Sequence, residues 1–212
     1  TLRLDPGITD FYAFSLSNIW LENYQHGDKV TGIRSPSDRG RSAAMNLIVN
    51  VDNAWGIGRE GRLLAHLSAD MRRFKQLTVG QVIVLGRKTL ETFPGGRPLP
   101  DRANIVLTRS RSLEIPDVQI CRDLAELAAR LAEVASDRIF VVGGASVYRL
   151  LLPFCRLAYV TRMQADFAAD AWFPNLDQDP AWHLLECGPT QSGVSRFGDP
   201  DQAIDFQFCL YE

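Results

Sequence analysis

One carboxylate projects from the apolar face of a predicted helix. Ser68 is a good N-cap, and Met71, Phe74 and Leu77 recur after it at helical spacing, which predicts an amphipathic helix over Ser68–Leu77. Asp70 lies four residues before Phe74 and therefore shares its face. The basic residues of this helix are expected to point elsewhere: Arg72, Arg73 and Lys75. A carboxylate in apolar surroundings is costly unless something binds it, so Asp70 is either a functional residue or a first-turn residue that complements the helix dipole.

Two turns that lead from a predicted strand into a helix could bind an anion. Residues 82–85 run into Gly86-Arg87-Lys88-Thr89, and residues 139–142 run into Gly143-Gly144-Ala145-Ser146. Glycine allows a tight turn, and the free N–H groups at a helix start can face a phosphate. Neither turn has the spacing of a Walker A loop or of the GxGxxG fingerprint. Because Arg109 ends a neighbouring strand, the pair of turns favours a dinucleotide phosphate site at the carboxyl ends of the strands.

Short apolar, β-rich runs alternate with helical segments from residue 45 onward. The predicted strands are 47–51, 82–85, 103–107, 118–121, 139–142 and 157–161. The predicted helices are Ser68–Leu77, a short turn after Gly86, 123–135 and 145–152. This alternation predicts an α/β fold with flanking helices. Two late strands, 182–187 and 204–211, follow without a helix between them, so we expect a mixed, mostly parallel twisted sheet with a C-terminal antiparallel hairpin.

The composition is that of a globular protein without a strongly charged partner. Of 212 residues, 46% are hydrophobic and 23% are charged, and the net charge of −2 gives no reason to expect nucleic acid or a membrane surface as partner. No apolar run has the length of a membrane span, and nothing resembles a signal peptide. The cysteines are Cys121, Cys155, Cys187 and Cys209. Because they form no CxxC pair and the histidines are isolated, we expect buried reduced thiols in a cytoplasmic protein, with neither a metal site nor a disulfide framework.

Residues 1–44 differ from everything that follows them. They carry an aromatic patch between Phe11 and Tyr24 and end in the polar run 35–42, which has the composition of a linker. Met45 stands where the regular alternation begins. We therefore expect an N-terminal extension over 1–44, linker-like from 35, to which no function is assigned, and a single domain over 45–212.

Seven stretches follow one another in an order that carries a family resemblance. They are Asn53–Gly58, Leu67–Lys75, Val84–Glu91, Gly96–Arg102, Asn104–Arg109, Val141–Tyr148 and Trp172–Pro174. The ordered set resembles dihydrofolate reductase and spans nearly all of 45–174, and the C-terminal strands fit that family's closing hairpin. The resemblance implies the family's fold and the NADPH-dependent reduction of dihydrofolate to tetrahydrofolate.

The resemblance also implies roles at the substrate. Asp70 resembles the carboxylate that holds the amidine edge of the pterin and favours protonation at N5, and Thr161 resembles the hydroxyl that supports it. Phe74 resembles the aromatic beside the p-aminobenzoyl ring. Arg102 resembles the arginine that binds the glutamate α-carboxylate, although it could instead be a solvated turn residue. The main-chain carbonyls expected to flank the pterin are those of Ile48 and Val142.

The implied cofactor site contains the two glycine-bearing turns. Gly143 and Gly144 are expected along the pyrophosphate, and Arg87 and Arg109 at the 2′-phosphate. The full implied set is Gly58, Gly86, Arg87, Lys88, Thr89, Thr108, Arg109, Gly143, Gly144, Ala145, Ser146, Val147 and Tyr148. Hydride passes from nicotinamide C4 to pterin C6, so the enzyme needs no nucleophile and supplies proximity, orientation and one tuned carboxylate.

One loop departs from the family's pattern. A Pro-Trp pair usually follows the position of Gly58, whereas this chain reads Leu63-Leu64-Ala65-His66, with Ala65 at the tryptophan position. We expect Leu63 to be the apolar residue that covers the nicotinamide. His66 could donate a proton, although a lone loop histidine is more often structural.

Two alternatives accompany the predicted activity. The related reductase of riboflavin biosynthesis shares the fold and NADPH, but its substrate carries a ribosyl phosphate and needs no pair such as Asp70 and Arg102. A non-catalytic module that binds NADPH is favoured only by the altered loop. The main expectation is a cytoplasmic, monomeric enzyme of one-carbon metabolism that binds a small-molecule substrate.

Overall fold

A computed structural model describes residues 45–195 and 202–212. The strands of its main sheet are β1 (Met45–Val51), β4 (Val82–Gly86), β5 (Ala103–Leu107), β6 (Gln119–Cys121), β7 (Ile139–Gly143), β8 (Cys155–Met163), β10 (Leu184–Cys187), β11 (Gln191–Val194) and β12 (Ala203–Tyr211). A smaller sheet contains β2 (Gly56–Arg59), β3 (Arg62–Leu63) and β9 (Ala171–Trp172). The helices are α1 (Ser68–Thr78), α2 (Arg87–Glu91), α3 (Leu124–Leu131) and α4 (Ala145–Leu151), with 3-10 turns at Pro94–Gly96, Ser136–Arg138 and Leu152–Phe154.

The main sheet is mixed, as the sequence predicts. Its strand order is β10-β12-β8-β1-β7-β4-β5-β6, with β11 paired to β12. The neighbours from β8 to β6 run parallel, whereas β12 is antiparallel to β8, β10 and β11. The C-terminal part therefore forms the antiparallel edge, but β11 makes it a three-stranded arrangement rather than the predicted two-stranded hairpin.

Alternate side chains of the central strand face two different apolar clusters. Leu47 and Val49 pack with residues of α3 and α4 on one side of the sheet. Ile48 packs in a second cluster that includes Phe74 of α1 and Leu90 of α2. Because successive strand residues point to opposite faces, the even-numbered positions of β1 face the side on which α1 lies.

The N-terminus of α1 differs from the prediction. Leu67 is its N-cap without a side-chain cap hydrogen bond, and Ser68 is already the first helical residue, so the prediction of a Ser68 cap is wrong. The fully buried residues of this helix are polar, Asp70 and Thr78. Arg73, which was predicted to point away from the face of Asp70, lies near enough for its charge to act on that carboxyl, and its guanidinium carbon is 4.4 Å from the Phe208 ring centroid. Phe208 belongs to β12, near the C-terminal end of the chain, so the contact that buries part of this arginine is not visible in the sequence around α1.

Two of the four cysteines are joined. Cys187 on β10 and Cys209 on β12 stand opposite each other in the antiparallel pair and form a disulfide. Cys121 and Cys155 are free and buried. The prediction of reduced thiols is therefore wrong for Cys187 and Cys209, because their pairing depends on strand register and leaves no signal in the spacing of the sequence.

The predicted extension over 1–44 lies outside the described residues. Within 45–195 and 202–212, helices are too short and too polar to cross a membrane.

Candidate active site

The predicted carboxylate is buried between helix α1 and the central strands. Asp70 is 5% exposed, and the fully buried Thr161 hydroxyl donates a hydrogen bond of 2.6 Å to its Oδ1. Thr161 stands opposite Asn50 of β1 on one side and opposite Phe208 of β12 on the other. Asn50 of β1 and Thr161 of β8 therefore both hydrogen-bond to the Asp70 carboxylate, so the fold brings the predicted pair Asp70 and Thr161 together.

The surroundings of Asp70 balance opposing electrostatic effects. Burial raises the pKa of Asp70 above its ordinary value, because the interior disfavours the charged form. The Thr161 hydrogen bond, the Arg73 charge, an Asn50 hydrogen bond and the His66 charge all act in the opposite direction. The net pKa is raised, so this carboxyl keeps its proton to a higher pH than a solvated aspartate does.

A cavity of about 1050 Å³ opens from Asp70. Its wall includes every residue predicted to bind substrate: Ile48, Asp70, Phe74, Arg102 and Val142. Glu60 and Glu91 also border the cavity but are exposed. Asp70 is thus the desolvated carboxylate there, and one suited to bind an amidine through two parallel hydrogen bonds.

Arg102 is held by hydrogen bonds on the wall of this cavity. Its Nη1 donates to Thr78 Oγ1 at 2.9 Å and its Nε donates to the Pro100 carbonyl at 3.0 Å. The guanidinium carbon lies 5.9 Å from the ring centroid of Phe74. A guanidinium has five N–H donors, so the remaining donors can bind an anion at this end, and the placement argues against a merely solvated turn residue.

The Ile48 carbonyl is tied to helix α4. The buried Tyr148 hydroxyl donates to Ile48 O at 2.6 Å, and burial raises the pKa of this phenol, which keeps it a neutral donor. A carbonyl has two lone pairs, so Ile48 can accept a second hydrogen bond from a ligand. Ile48, Val142 and Tyr148 all border the substrate cavity.

A second cavity, of about 1280 Å³, lies at the carboxyl ends of β4, β5 and β7. The predicted cofactor residues that line it are Gly58, Gly86, Arg87, Lys88, Thr89, Thr108, Arg109, Gly144, Ala145, Ser146, Val147 and Tyr148. Gly143 is buried and does not line it, whereas its neighbour Gly144 does. Both turns therefore face one cleft, as predicted from the glycines and basic residues.

Neither glycine of the second turn has room for a side chain. A Cβ at Gly143 would lie 2.7 Å from Tyr148 Cε2, and the φ of Gly143 is +105°, which other residues rarely adopt. A Cβ at Gly144 would lie 3.2 Å from the Thr89 hydroxyl. The turn thus forms a cradle in which the backbone itself can approach a phosphate.

The basic residues of this cleft differ in their partners. Arg87 Nη1 donates to the Glu91 carboxylate, and both side chains are exposed. Arg109 is exposed at the cleft wall. Arg122, which the sequence reading did not select, also lines the cleft and donates to the Arg111 carbonyl at 3.0 Å. An anion bound at this wall would lie near several cationic side chains. One of them, Arg87, already donates a hydrogen bond to the Glu91 carboxylate.

Comparison with known proteins decides the family. The family model for dihydrofolate reductase matches residues 44–212. The chain belongs to the dihydrofolate reductase family. The family predicted from the ordered motifs is therefore confirmed.

Relatives of this family match the chain over most of their length. A dihydrofolate reductase of Staphylococcus haemolyticus is 33% identical over 168 residues, which cover 79% of this chain and 95% of that protein. A dihydrofolate reductase of Bacillus subtilis (strain 168) is 33% identical over 158 residues, 74% of this chain and 86% of that protein. A dihydrofolate reductase from Enterococcus faecalis, solved in complex with NADP(H) and RAB-propyl, has a TM-score of 0.63 and 31% identity, and covers 80% of this chain and 96% of its own. The mixed α/β fold class is confirmed.

The loop that departs from the dihydrofolate reductase pattern, 63–66, begins in the short strand β3 and continues without regular structure. β3 pairs with β2, and Leu63 stands opposite Gly58. Leu63 is 40% exposed and borders both cavities, whereas Ala65 is buried. His66 lines the substrate cavity, and its backbone N–H donates to Ser195 Oγ at 3.4 Å. Leu63 is thus the apolar side chain of this loop that can cover a ligand at the junction of the cavities.

Asn50, like Arg122, borders this dihydrofolate reductase site and was not predicted from the sequence. It borders both cavities, and its Nδ2 donates to Asp70 Oδ2 over a long 3.4 Å. The available signal was that Asn50 is one of only two polar residues, with Asn46, in the apolar strand Met45–Val51. Among the described residues, no group of three or more His, Cys, Asp or Glu side chains is placed to hold a metal.

Proposed function

We propose that this chain reduces 7,8-dihydrofolate to 5,6,7,8-tetrahydrofolate with NADPH. The observation that carries the proposal is the buried Asp70–Thr161 pair, whose carboxylate borders a cavity that Arg102 also borders. A second cavity, which Gly144 of the glycine cradle lines, shares wall residues such as Asn50 and Leu63 with the first. The family match and the relatives described above support the same reaction. An aromatic amidine, a terminal carboxylate and a dinucleotide are the ligand features that this arrangement fits.

Asp70 binds and orients the pterin in this proposal. Its carboxylate accepts hydrogen bonds from N3 and the 2-amino group, while Thr161 holds Oδ1 in place. The negative charge next to the ring favours protonation at N5 and so prepares C6 to accept two electrons. Phe74 packs beside the p-aminobenzoyl ring, and Arg102 binds the α-carboxylate through N–H groups that its contacts with Thr78 and Pro100 leave over.

The cleft next to it has the features required to bind NADPH. The Gly143-Gly144 turn lies too close to Tyr148 and Thr89 to carry side chains, so its backbone N–H groups can face a pyrophosphate directly. Arg87 and Arg109 border the region proposed for the 2′-phosphate. When bound, this cofactor supplies the hydride that reaches C6 of the pterin. Leu63 covers the junction and excludes water from it.

An absorbance assay with NADPH and dihydrofolate tests the proposal. Oxidation of NADPH that depends on dihydrofolate supports it. Reduction of a ribosylated pyrimidine phosphate instead would indicate the related reductase of riboflavin biosynthesis. Binding of NADPH without turnover of either substrate would indicate the non-catalytic module, whose only support is the altered loop 63–66.

We predict that residues 1–44 are dispensable. A chain shortened to 45–212 is expected to fold and to reduce dihydrofolate with kcat and KM within about twofold of the full chain. The reason is that the family match begins at residue 44 and that residues after it supply all the site groups named above. Steady-state kinetics and thermal unfolding of the two chains check this. Insolubility or loss of activity in the short chain would mean that the aromatic patch between Phe11 and Tyr24 belongs to the core or to an interface.

We also propose that the enzyme is a cytoplasmic monomer that supplies tetrahydrofolate to one-carbon metabolism, with no nucleic acid as partner. The net charge of −2 is consistent with that choice of partners. The Cys187–Cys209 disulfide argues against the location, because such bonds are uncommon in the cytoplasm. Alkylation of thiols during cell lysis, followed by mass spectrometry, tests it: modification of both cysteines supports a reducing compartment, and an intact bond contradicts it.

A further inference from the structure

Asn50 carries a buried acceptor that the protein does not satisfy. Its Nδ2 donates to Asp70 Oδ2 at 3.4 Å, and its Oδ1 is buried without a hydrogen-bond partner among the described residues. An ionised carboxylate only accepts hydrogen bonds, so the amide nitrogen must be the end that faces Asp70 and the oxygen must face away from it. The orientation of this amide is therefore set by its neighbour.

The unpaired oxygen belongs to a residue on the wall of the ligand cavities. Asn50 lies on the face of β1 toward α1 and borders both the substrate and the cofactor cavity. Buried polar atoms in folded proteins nearly always have a partner, and one without a protein partner calls for a ligand or a bound water. An amide oxygen accepts from N–H or O–H groups, so a ligand that satisfies it must carry a donor next to the group that Asp70 binds.

We propose that Asn50 is a substrate-binding residue whose Oδ1 accepts a hydrogen bond from a ring N–H of the pterin, beside the edge held by Asp70. This inference rests on the proposed function. The pterin fits because its 2-amino group and ring nitrogens carry more N–H donors than the two that a single carboxylate accepts. Asp70 and the Asn50 oxygen then offer acceptors on either side of the Asn50 amide nitrogen, and Asn50 helps to select ligands that present a donor at both positions.

The proposal has a consequence for ligand choice. A site that contains a buried acceptor discriminates against analogues that lack the matching donor, because the acceptor stays unpaired in their complexes. The substrate is favoured over the nicotinamide carboxamide as the source of the donor because Asn50 is held against Asp70 itself. Separate binding measurements for each ligand distinguish the two sources.

The test compares Asn50→Ala with the wild-type chain in binary complexes. Dihydrofolate titrated without cofactor is expected to bind about tenfold more weakly to the variant, as for the loss of one hydrogen bond, and NADPH titrated without substrate is expected to bind equally well. Asn46→Ala is the matched control, because Asn46 lies on the same strand but donates to the Asp137 carbonyl at 2.7 Å. That control is expected to lose thermal stability and to keep its dihydrofolate affinity.

Two further readouts separate ligand binding from a structural role. Removing an unpaired buried oxygen is expected to leave the melting temperature of the ligand-free protein unchanged or higher. The variant also loses a hydrogen bond to the Asp70 carboxylate, so the acidic limb of its kcat/KM profile should move to higher pH. The other titratable groups that interact electrostatically with Asp70 are the same in both proteins, namely His66, Arg73 and Tyr148.

Several outcomes would overturn the inference. Unchanged dihydrofolate affinity in Asn50→Ala would do so while the wild type remains active, which leaves the proposed function standing. If Asn50→Ala weakens the binding of NADPH alone, the donor that pairs with Asn50 Oδ1 belongs to the cofactor, which contradicts the assignment to the pterin. If Asn50→Ala does not fold, Asn50→Leu, which keeps the volume, is measured in the same way. If the wild-type chain does not reduce dihydrofolate, the proposed function is itself contradicted, and with it the inference that rests on it.

Discussion

Asp70→Asn is expected to lower kcat/KM at pH 7 by about 10²–10⁴-fold, the range typical of a group that promotes proton transfer. The amide keeps the shape of the carboxyl and can still accept from Thr161, so the fold should persist. It cannot hold a negative charge beside the pterin, so protonation at N5 loses its support. Activity should recover in part as the pH falls, because more of the substrate is then protonated before it binds.

The same substitution is expected to stabilise the ligand-free protein at neutral pH. Burial raises the folded-state pKa of Asp70, so its contribution to stability is fully present below the unfolded-state pKa of about 3.9 and is lost as the pH rises through the folded-state pKa. Asparagine resembles the protonated carboxyl at every pH. The melting temperature of the variant should therefore exceed that of the wild type at pH 7, and the difference should shrink toward acid.

Kinetics and thermal unfolding across pH measure both effects. Asp166→Asn makes the same chemical change at an exposed position, and it should alter neither quantity. Activity of Asp70→Asn close to that of the wild type would remove Asp70 from the mechanism. A large fall in melting temperature would instead mean that the charged carboxylate is a structural requirement of the fold.

The sequence predicts the long elements because their signals are local. The apolar runs that become β1, β4, β5, β7 and β8 lie within two residues of their predicted bounds. β3 and β9 have two residues each, which is too short for any periodicity, and β11 is exposed or half-buried along its length. Their pairing depends on neighbours that are distant in the chain, so only the folded structure reveals them.

The residues of the candidate site likewise divide into those with a local sequence signal and those whose contacts depend on distant parts of the chain. Asp70 could be selected because it interrupts an apolar face within one helix. The glycines could be selected because they stand where a predicted strand turns into a helix. Arg73 was misplaced because the aromatic ring that receives its guanidinium, Phe208, comes from β12. Asn50 was missed because its contact with Asp70 joins a strand to a helix 20 residues away. Local pattern identifies candidate groups, but tertiary register decides which of them meet.

Arg87→Ala combined with Arg109→Ala is expected to raise KM for NADPH by about a hundredfold or more and to leave KM for NADH nearly unchanged. Only NADPH carries the 2′-phosphate, and a charge-assisted hydrogen bond contributes about 1.5–3 kcal/mol. Both arginines border the cofactor cavity. Ser146, on the same wall, can add a neutral hydrogen bond but no charge.

The two arginines should not contribute equally. Arg87 already donates to the Glu91 carboxylate, so a phosphate must share or displace that partner, and the single substitution of Arg109 should cost more than that of Arg87. Glu91→Gln frees Arg87 and should lower KM for NADPH modestly. High salt should reduce the loss caused by the double substitution, because both arginines are accessible to solvent.

Steady-state kinetics with each cofactor at low and high salt decide the matter. The matched control is Arg72→Ala with Arg130→Ala, which makes the same change in net charge at two exposed residues that border neither cavity. A similar loss in that control would attribute the effect to long-range attraction of the anionic cofactor. Equal losses for NADPH and NADH in the Arg87 and Arg109 variant would assign the arginines to the pyrophosphate or to the fold, because only a contact with the 2′-phosphate discriminates between the two cofactors.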